Sequence, residues 1–256
     1  MIDAERSAGD LEEAVGDLAG PRARLVALSH VSWATGAVLD VPGAVRAARA
    51  AGALVAGDGA QSVGAIPVDA AALGVDAYAF PAHKWLLGPE GLGALWVRPG
   101  AMDRIDVTVA GLESAAGGAA HGEDGAMEPH PSARRYEAYT PPAALLAAWE
   151  AGLSWLEGLG WPWIHGRVRE AQARAREALA GLAGVEVLTP PGSQAGLVTF
   201  TVAGRAPAEA AAELAARGVV VRSLPRPEAL RASVGFFTDD ADVARLAAAV
   251  AGLSSC

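Results

Sequence analysis

The chain has 256 residues, 52% of them hydrophobic, and a formal net charge of −9. That length supports one large domain or a large and a small one, and the acidic balance argues against nucleic acid or an anionic membrane surface as a partner. No apolar run is long enough to cross a bilayer, the first residues lack a signal-peptide pattern, and the one cysteine, Cys256, offers no disulfide framework and no cysteine-based metal site. The expectation is a cytoplasmic protein without a metal.

In chain order, residues 25–29 (LVALS) read as a buried strand, and 41–51 as a helix after a Gly-containing turn. A second strand at 53–57 (ALVAG), a short helix at 69–73, a third strand at 76–80 (DAYAF) and a fourth at 93–97 (GALWV) follow. Alternation of this kind predicts an α/β sheet, mostly parallel and covered on both faces. Ligands of such sheets sit beyond the carboxyl ends of the strands, where Asp58 and Lys84 fall. Residues 110–133 are rich in Gly, Ala and turn formers and read as a mobile loop; its His121 and His130 read as solvated. Helices at 143–157 and 161–182 come next. Strands at 185–188, 197–202, 219–222 and 231–234 then combine with helices at 207–217 and 239–251. These suggest a small α+β domain over residues 161–256, joined to a large domain over 1–160 by the long second helix.

Of the 20 basic residues, 19 are Arg and one is Lys. Arg stays protonated and is a poor amine nucleophile, whereas Lys can lose its proton and form an imine. Around Lys84 stand Asp58, after a strand, His83 beside the lysine, and Arg231 at the start of a late strand. Each has an ordinary reading: an Asp-Gly turn, an idle histidine, an arginine paired with a surface acid. Together they match what pyridoxal phosphate (PLP) requires. That cofactor needs a lysine for a Schiff base, an acid beside its pyridine nitrogen, and a guanidinium to grip a substrate carboxylate at two points.

The runs Ser29-His30-Val31-Ser32-Trp33-Ala34-Thr35-Gly36, DGAQSVGAIPVD (58–69) and HKWLLGPEGLGALWVR (83–98) resemble the class V aminotransferase family, which includes cysteine desulfurases. The resemblance continues through Arg134-Arg135-Tyr136-Glu137, GLVTF (196–200) and LRASVGFFTDDADV (230–243). It implies a type I PLP-dependent transferase-like fold and a homodimer acting on a small amino-acid substrate. By matched position, Asp58 would pair with the pyridine nitrogen and Gln61 would bond the phenolic oxygen. Lys84 would hold the cofactor, with His83 near the phosphate, and Arg231 would take the substrate carboxylate. Thr140 resembles a residue that reaches the neighbouring subunit's phosphate.

Three departures from the family pattern carry expectations of their own. An N-terminal part of the large domain, with a phosphate-binding helix start and a ring-stacking aromatic, is absent. The sheet is therefore expected to lose strands and expose apolar surface, and a complementing N-terminal fragment is a candidate partner. Pro81 stands three residues before Lys84, where relatives usually carry Ser or Thr. The stretch 223–229 (SLPRPEA) lacks the cysteine that forms a protein-bound persulfide. The look of QAGLVTF (194–200) is nearest to cystine C–S lyases, implying β-elimination. Transamination or epimerisation would use the same residues, and a non-catalytic homologue or one part of a split enzyme is the reading from a different class.

Overall fold

In this computed structural model, residues 11–20, 22–117 and 122–253 are described; His121 and Cys256 lie outside them. The first sheet has the order β1 (Leu25–Ser29), β2 (Leu54–Asp58), β3 (Ala77–Pro81), β4 (Gly93–Val97). The first three strands are parallel and β4 returns antiparallel on β3, so the mostly parallel α/β expectation holds. Helix α1 (Leu11–Leu18) has no counterpart among the sequence-based expectations. It packs with α2 (Val41–Ala50) on one face of this sheet, where Leu11, Val15, Val41, Val45, Val55 and Tyr78 are buried together. Helix α2 starts where Asp40 accepts a hydrogen bond from Gly43 N at 3.0 Å, with Pro42 preset for the first turn. Helix α3 is the short Ala70–Leu73 segment.

The other face of the sheet differs from the two-sided burial expected of parallel strands. The register places Leu25, Ala27, Asp58, Ala79, Gly93 and Leu95 on this side, and all six are exposed, Leu25 by 59% and Leu95 by 44%. The expected exposure of apolar surface is therefore present: Leu25, Ala27, Ala79, Gly93 and Leu95 lie open on one face of the four-stranded sheet.

Helices α4 (Ala143–Leu159) and α5 (Trp161–Ala180) meet at Gly160, whose φ of 88° suits glycine. On α5, Ile164, Val168, Ala171, Gln172, Ala175 and Leu179 are buried at helical spacing. Its second half packs on the other sheet, order β5 (Val185–Val187), β6 (Leu197–Val202), β8 (Glu228–Ser233), β7 (Arg222–Pro225), antiparallel throughout. Helices α6 (Pro207–Ala216) and α7 (Asp240–Ala251) complete its core through Leu214, Val243, Leu246 and Val250.

The strand expected at 219–222 begins only at Arg222. Val219 N donates instead to Leu214 O at 2.9 Å, closing the end of α6, and Val220 is 86% exposed. Pairing starts where Arg222 meets Arg231. Arg231 accordingly lies inside β8 and not at a strand start, and the stretch 223–229 is a tight hairpin, not a free loop. Within 110–133 the described residues make defined contacts: Ala115 and Pro129 form a bridge, and His130 N donates to Ser114 O at 2.7 Å. His130 itself is half-buried, its Nδ1 accepting from Ser132 N at 3.2 Å. No described helix is long and apolar enough to cross a membrane.

Candidate active site

The site begins at the end of β2. Asp58 is its last residue, and its carboxylate accepts from Ala60 N at 2.8 Å, shaping the 58–61 turn. Gly59 N donates to Ala79 O at 2.7 Å and ties that turn to β3. The ring of Tyr78 lies so close to Gly57 and Gly59 that a Cβ on either would collide with it. The Tyr78 hydroxyl is 2.6 Å from Ser62 Oγ and 2.8 Å from His30 Nδ1. Burial pushes this phenol up to about 12, against a lowering contribution from Ser62 and with a smaller push from Asp58. Burial also holds His30 below the usual imidazole range, so its ring is neutral at pH 7. A buried polar network thus supports the turn that presents Asp58 and Gln61.

Lys84 follows β3 in a tight turn. Leu87 N donates to Lys84 O at 3.0 Å and Gly88 N to Ala82 O at 2.8 Å. The Lys84 ammonium has no ion-pair or hydrogen-bond partner among the described residues. Its neighbour Trp85 donates its indole N–H to Gln61 Oε1 at 3.0 Å. A Cβ on Gly64 would sit 2.8 Å from the Trp85 carbonyl, so the turns after β2 and β3 touch backbone to backbone. Asp58, Gln61, His83 and Lys84 are therefore gathered beyond the carboxyl ends of adjacent strands, where open α/β sheets bind ligands. His83 is exposed and unbonded among the described residues. Pro81 ends β3 opposite Gly93, and having no hydroxyl it adds no anion ligand.

The second sheet contributes Arg231. Its Nη1 donates to Trp33 O at 2.5 Å, and its guanidinium carbon lies 6.0 Å from the Trp33 ring centroid. Thr199 Oγ1 donates to Ala34 O at 2.7 Å, so β6 and β8 both grip the turn after β1. That turn adjoins Asp58, because His30 N donates to Asp58 O at 3.0 Å. Arg231 Nε is buried without a partner. Burial, and secondarily the facing Arg222, push the Arg231 guanidinium below its usual range. A buried donor beside two positive charges fits an anionic substrate group. Thr140 is exposed ahead of α4 and has no bonded contact with the other candidates. Among the described residues no cluster of acidic, His or Cys side chains is arranged to hold a metal ion.

The sequence decides what this arrangement is: residues 4–246 match the profile of the aminotransferase class-V family. The chain belongs to that family. Its fold is the type I fold of PLP enzymes. The cystine C–S lyase C-DES, solved with its reaction product cysteine persulfide, superposes with a TM-score of 0.85 at 29% identity, over 95% of this chain and 66% of C-DES. A C-DES variant with glycine covalently linked to its PLP cofactor gives a TM-score of 0.84 at 28% identity, over 98% of this chain and 64% of that one. A probable cysteine desulfurase of Pseudomonas aeruginosa is 33% identical over 94% of this chain and 61% of its own. Isopenicillin N epimerase of Streptomyces clavuligerus is 32% identical over 92% of this chain and 61% of its own. The chain thus spans about six-tenths of the length of these class V relatives.

Three contributors to the site have no role in the sequence reading: Trp33 at Arg231, Trp85 at Gln61, and the Tyr78–Ser62–His30 network. The first two stand in the motif runs themselves. A tyrosine among small residues in a strand was the signal for the third, since a buried hydroxyl demands partners.

Proposed function

We propose that this class V chain forms the lysine-bearing part of a PLP-dependent enzyme that cleaves a carbon–sulfur bond of a small amino acid by β-elimination. The observation that carries the reading is the placement of Lys84, the chain's single lysine, beside the turn of Asp58 and Gln61, with Arg231 brought to the adjacent turn by the second sheet. The residues present fit the cofactor: among the described residues Lys84 has an unpartnered ammonium, Asp58 a carboxylate at a strand end, and Gln61 an amide with one end still free. When bound, PLP would draw electrons from the substrate's α-carbon.

Each side chain then has a task. With PLP bound, Asp58 would keep the pyridine nitrogen protonated, and Gln61 would donate to the phenolic oxygen. His83 and Thr140 would serve the phosphate, Thr140 from a second subunit of a homodimer. Arg231 holds the substrate carboxylate and so orients the α-hydrogen. Lys84 would hold the cofactor, and its Nζ would be placed to accept that proton as general base. The hairpin at 223–229 holds no cysteine, which favours release of the sulfur group to solution over a protein-bound persulfide. The epimerase relative supports a second reading, in which the proton returns to the opposite face of the α-carbon.

The test is a titration of the purified chain with PLP. A yellow absorption that borohydride bleaches and Lys84→Ala abolishes is the expected result. Absence of that band at saturating PLP refutes the reading for this chain alone. Its appearance only with a co-expressed N-terminal polypeptide supports a split enzyme. Pyruvate release from cystine or cysteine then marks elimination. Solvent deuterium at the α-carbon with inversion marks epimerisation, and a keto-acid-dependent half-reaction marks transamination.

A further inference from the structure

The geometry points to Trp85 as a positioning residue that sets which end of the Gln61 amide faces the cofactor, an inference that rests on the PLP reading of the site. An amide side chain has an accepting oxygen and a donating NH2, and rotation by half a turn exchanges them. An indole N–H can only donate. At 3.0 Å from Trp85 Nε1, the partner atom on Gln61 must therefore be Oε1. This contact leaves the NH2 as the free end, and a donor is what a negatively charged phenolic oxygen requires. The reversed amide would set oxygen against oxygen.

The indole is itself held in place. Its six-membered ring lies against Gly196, where a Cβ would stand 2.6 Å from Trp85 Cη2 and 2.6 Å from Val234 O. Gly196 has φ +72°, so backbone and space both call for glycine there. Trp85 packs against two buried clusters, one containing Ala65 and Phe236 and the other Val31, Ala195 and Leu197. The residue next to the attachment lysine is thus wedged between the first sheet's turns and the second sheet, and its N–H reaches the one side chain assigned to the phenolic oxygen. A bulky apolar residue would fill the same space, but only an N–H orients the amide.

A donor at the phenolic oxygen favours the more negative, deprotonated form of the lysine-bound cofactor. It therefore lowers the pH midpoint at which the yellow band titrates. Loss of the indole N–H in Trp85→Phe frees the amide to rotate, and the midpoint should rise by about one pH unit, the worth of a hydrogen bond to a charged group. Gln61→Ala should raise it similarly, and the double variant no further. Gln61→Glu, whose carboxylate accepts from the indole but has no N–H to give, should also raise it with Trp85 intact. In the cofactor-free chain, one of the seven indole N–H signals should move in the 1H–15N spectrum on Gln61→Ala, a readout that needs no bound group and no Trp85 variant. An unmoved indole spectrum, equal midpoints in wild type and W85F, or additive shifts in the double variant each overturn the inference while the band itself persists. A wild type without the borohydride-sensitive band refutes the PLP reading instead, and this role with it.

Discussion

Tyr78→Phe removes one oxygen atom from beneath the candidate active site. At pH 7 that oxygen joins Ser62 Oγ at 2.6 Å and His30 Nδ1 at 2.8 Å, and Tyr78, His30 and Ser62 are all buried. The variant leaves two buried polar groups short of a partner, at a cost of about 1–3 kcal/mol. The sign of the pH dependence distinguishes this from generic damage. The folded phenol is raised from its ordinary 10 to about 12 by burial, so the neutral form stabilises the fold fully below pH 10. That stabilisation drains away as pH climbs towards 12, by up to about 2.7 kcal/mol. The variant's plain phenyl ring has no proton to lose. The stability gap between wild type and Y78F, measured by urea unfolding, should therefore be largest at neutral pH and narrow from pH 10 upward. A gap that stays constant from pH 7 to pH 11.5 would refute a buried, neutral, doubly bonded hydroxyl.

Two further variants probe separate parts of the argument. Arg98→Ala strips the guanidinium from Asp76, which is 2% exposed and would keep only the Val55 N–H at 2.8 Å. The stranded carboxylate should cost about 3 kcal/mol, lowering Tm by roughly 6–12 °C; a thermal scan within 2 °C of wild type would exclude it. Arg231→Lys keeps the charge but loses the planar two-point grip. KM should rise roughly tenfold with the PLP absorption band unchanged, and loss of the band instead would place Arg231 in cofactor binding.

Strands at 25–29, 93–97 and 197–202 were legible because short apolar runs bounded by Gly, Pro or polar residues leave few alternatives. The run at 219–222 was not, since Val219, which reads as strand, closes α6 through its N–H and Val220 is exposed. Open exposure of Leu25 and Leu95 was not legible in the residues themselves, because both look like core. In the site, Lys84 was marked by its residue type, the single lysine among 20 basic residues, and Asp58 gained meaning only in combination with Lys84, His83 and Arg231. The Trp85–Gln61 bond spans 24 residues of sequence, and no periodicity encodes it. Arg231 was found in the sequence, but its link to Trp33 joins residues 198 apart and required the second sheet to be folded against the first.

The second sheet is fastened to the turn after β1 through the carbonyl oxygens of Trp33 and Ala34. A carbonyl belongs to every amino acid. A different side chain at position 33 would thus remove the ring beside the guanidinium while leaving in place the carbonyl that Arg231 bonds. Single substitutions can alter the surface beside Arg231 without first rebuilding the main-chain bond that holds it, a route by which one scaffold takes on different ligands.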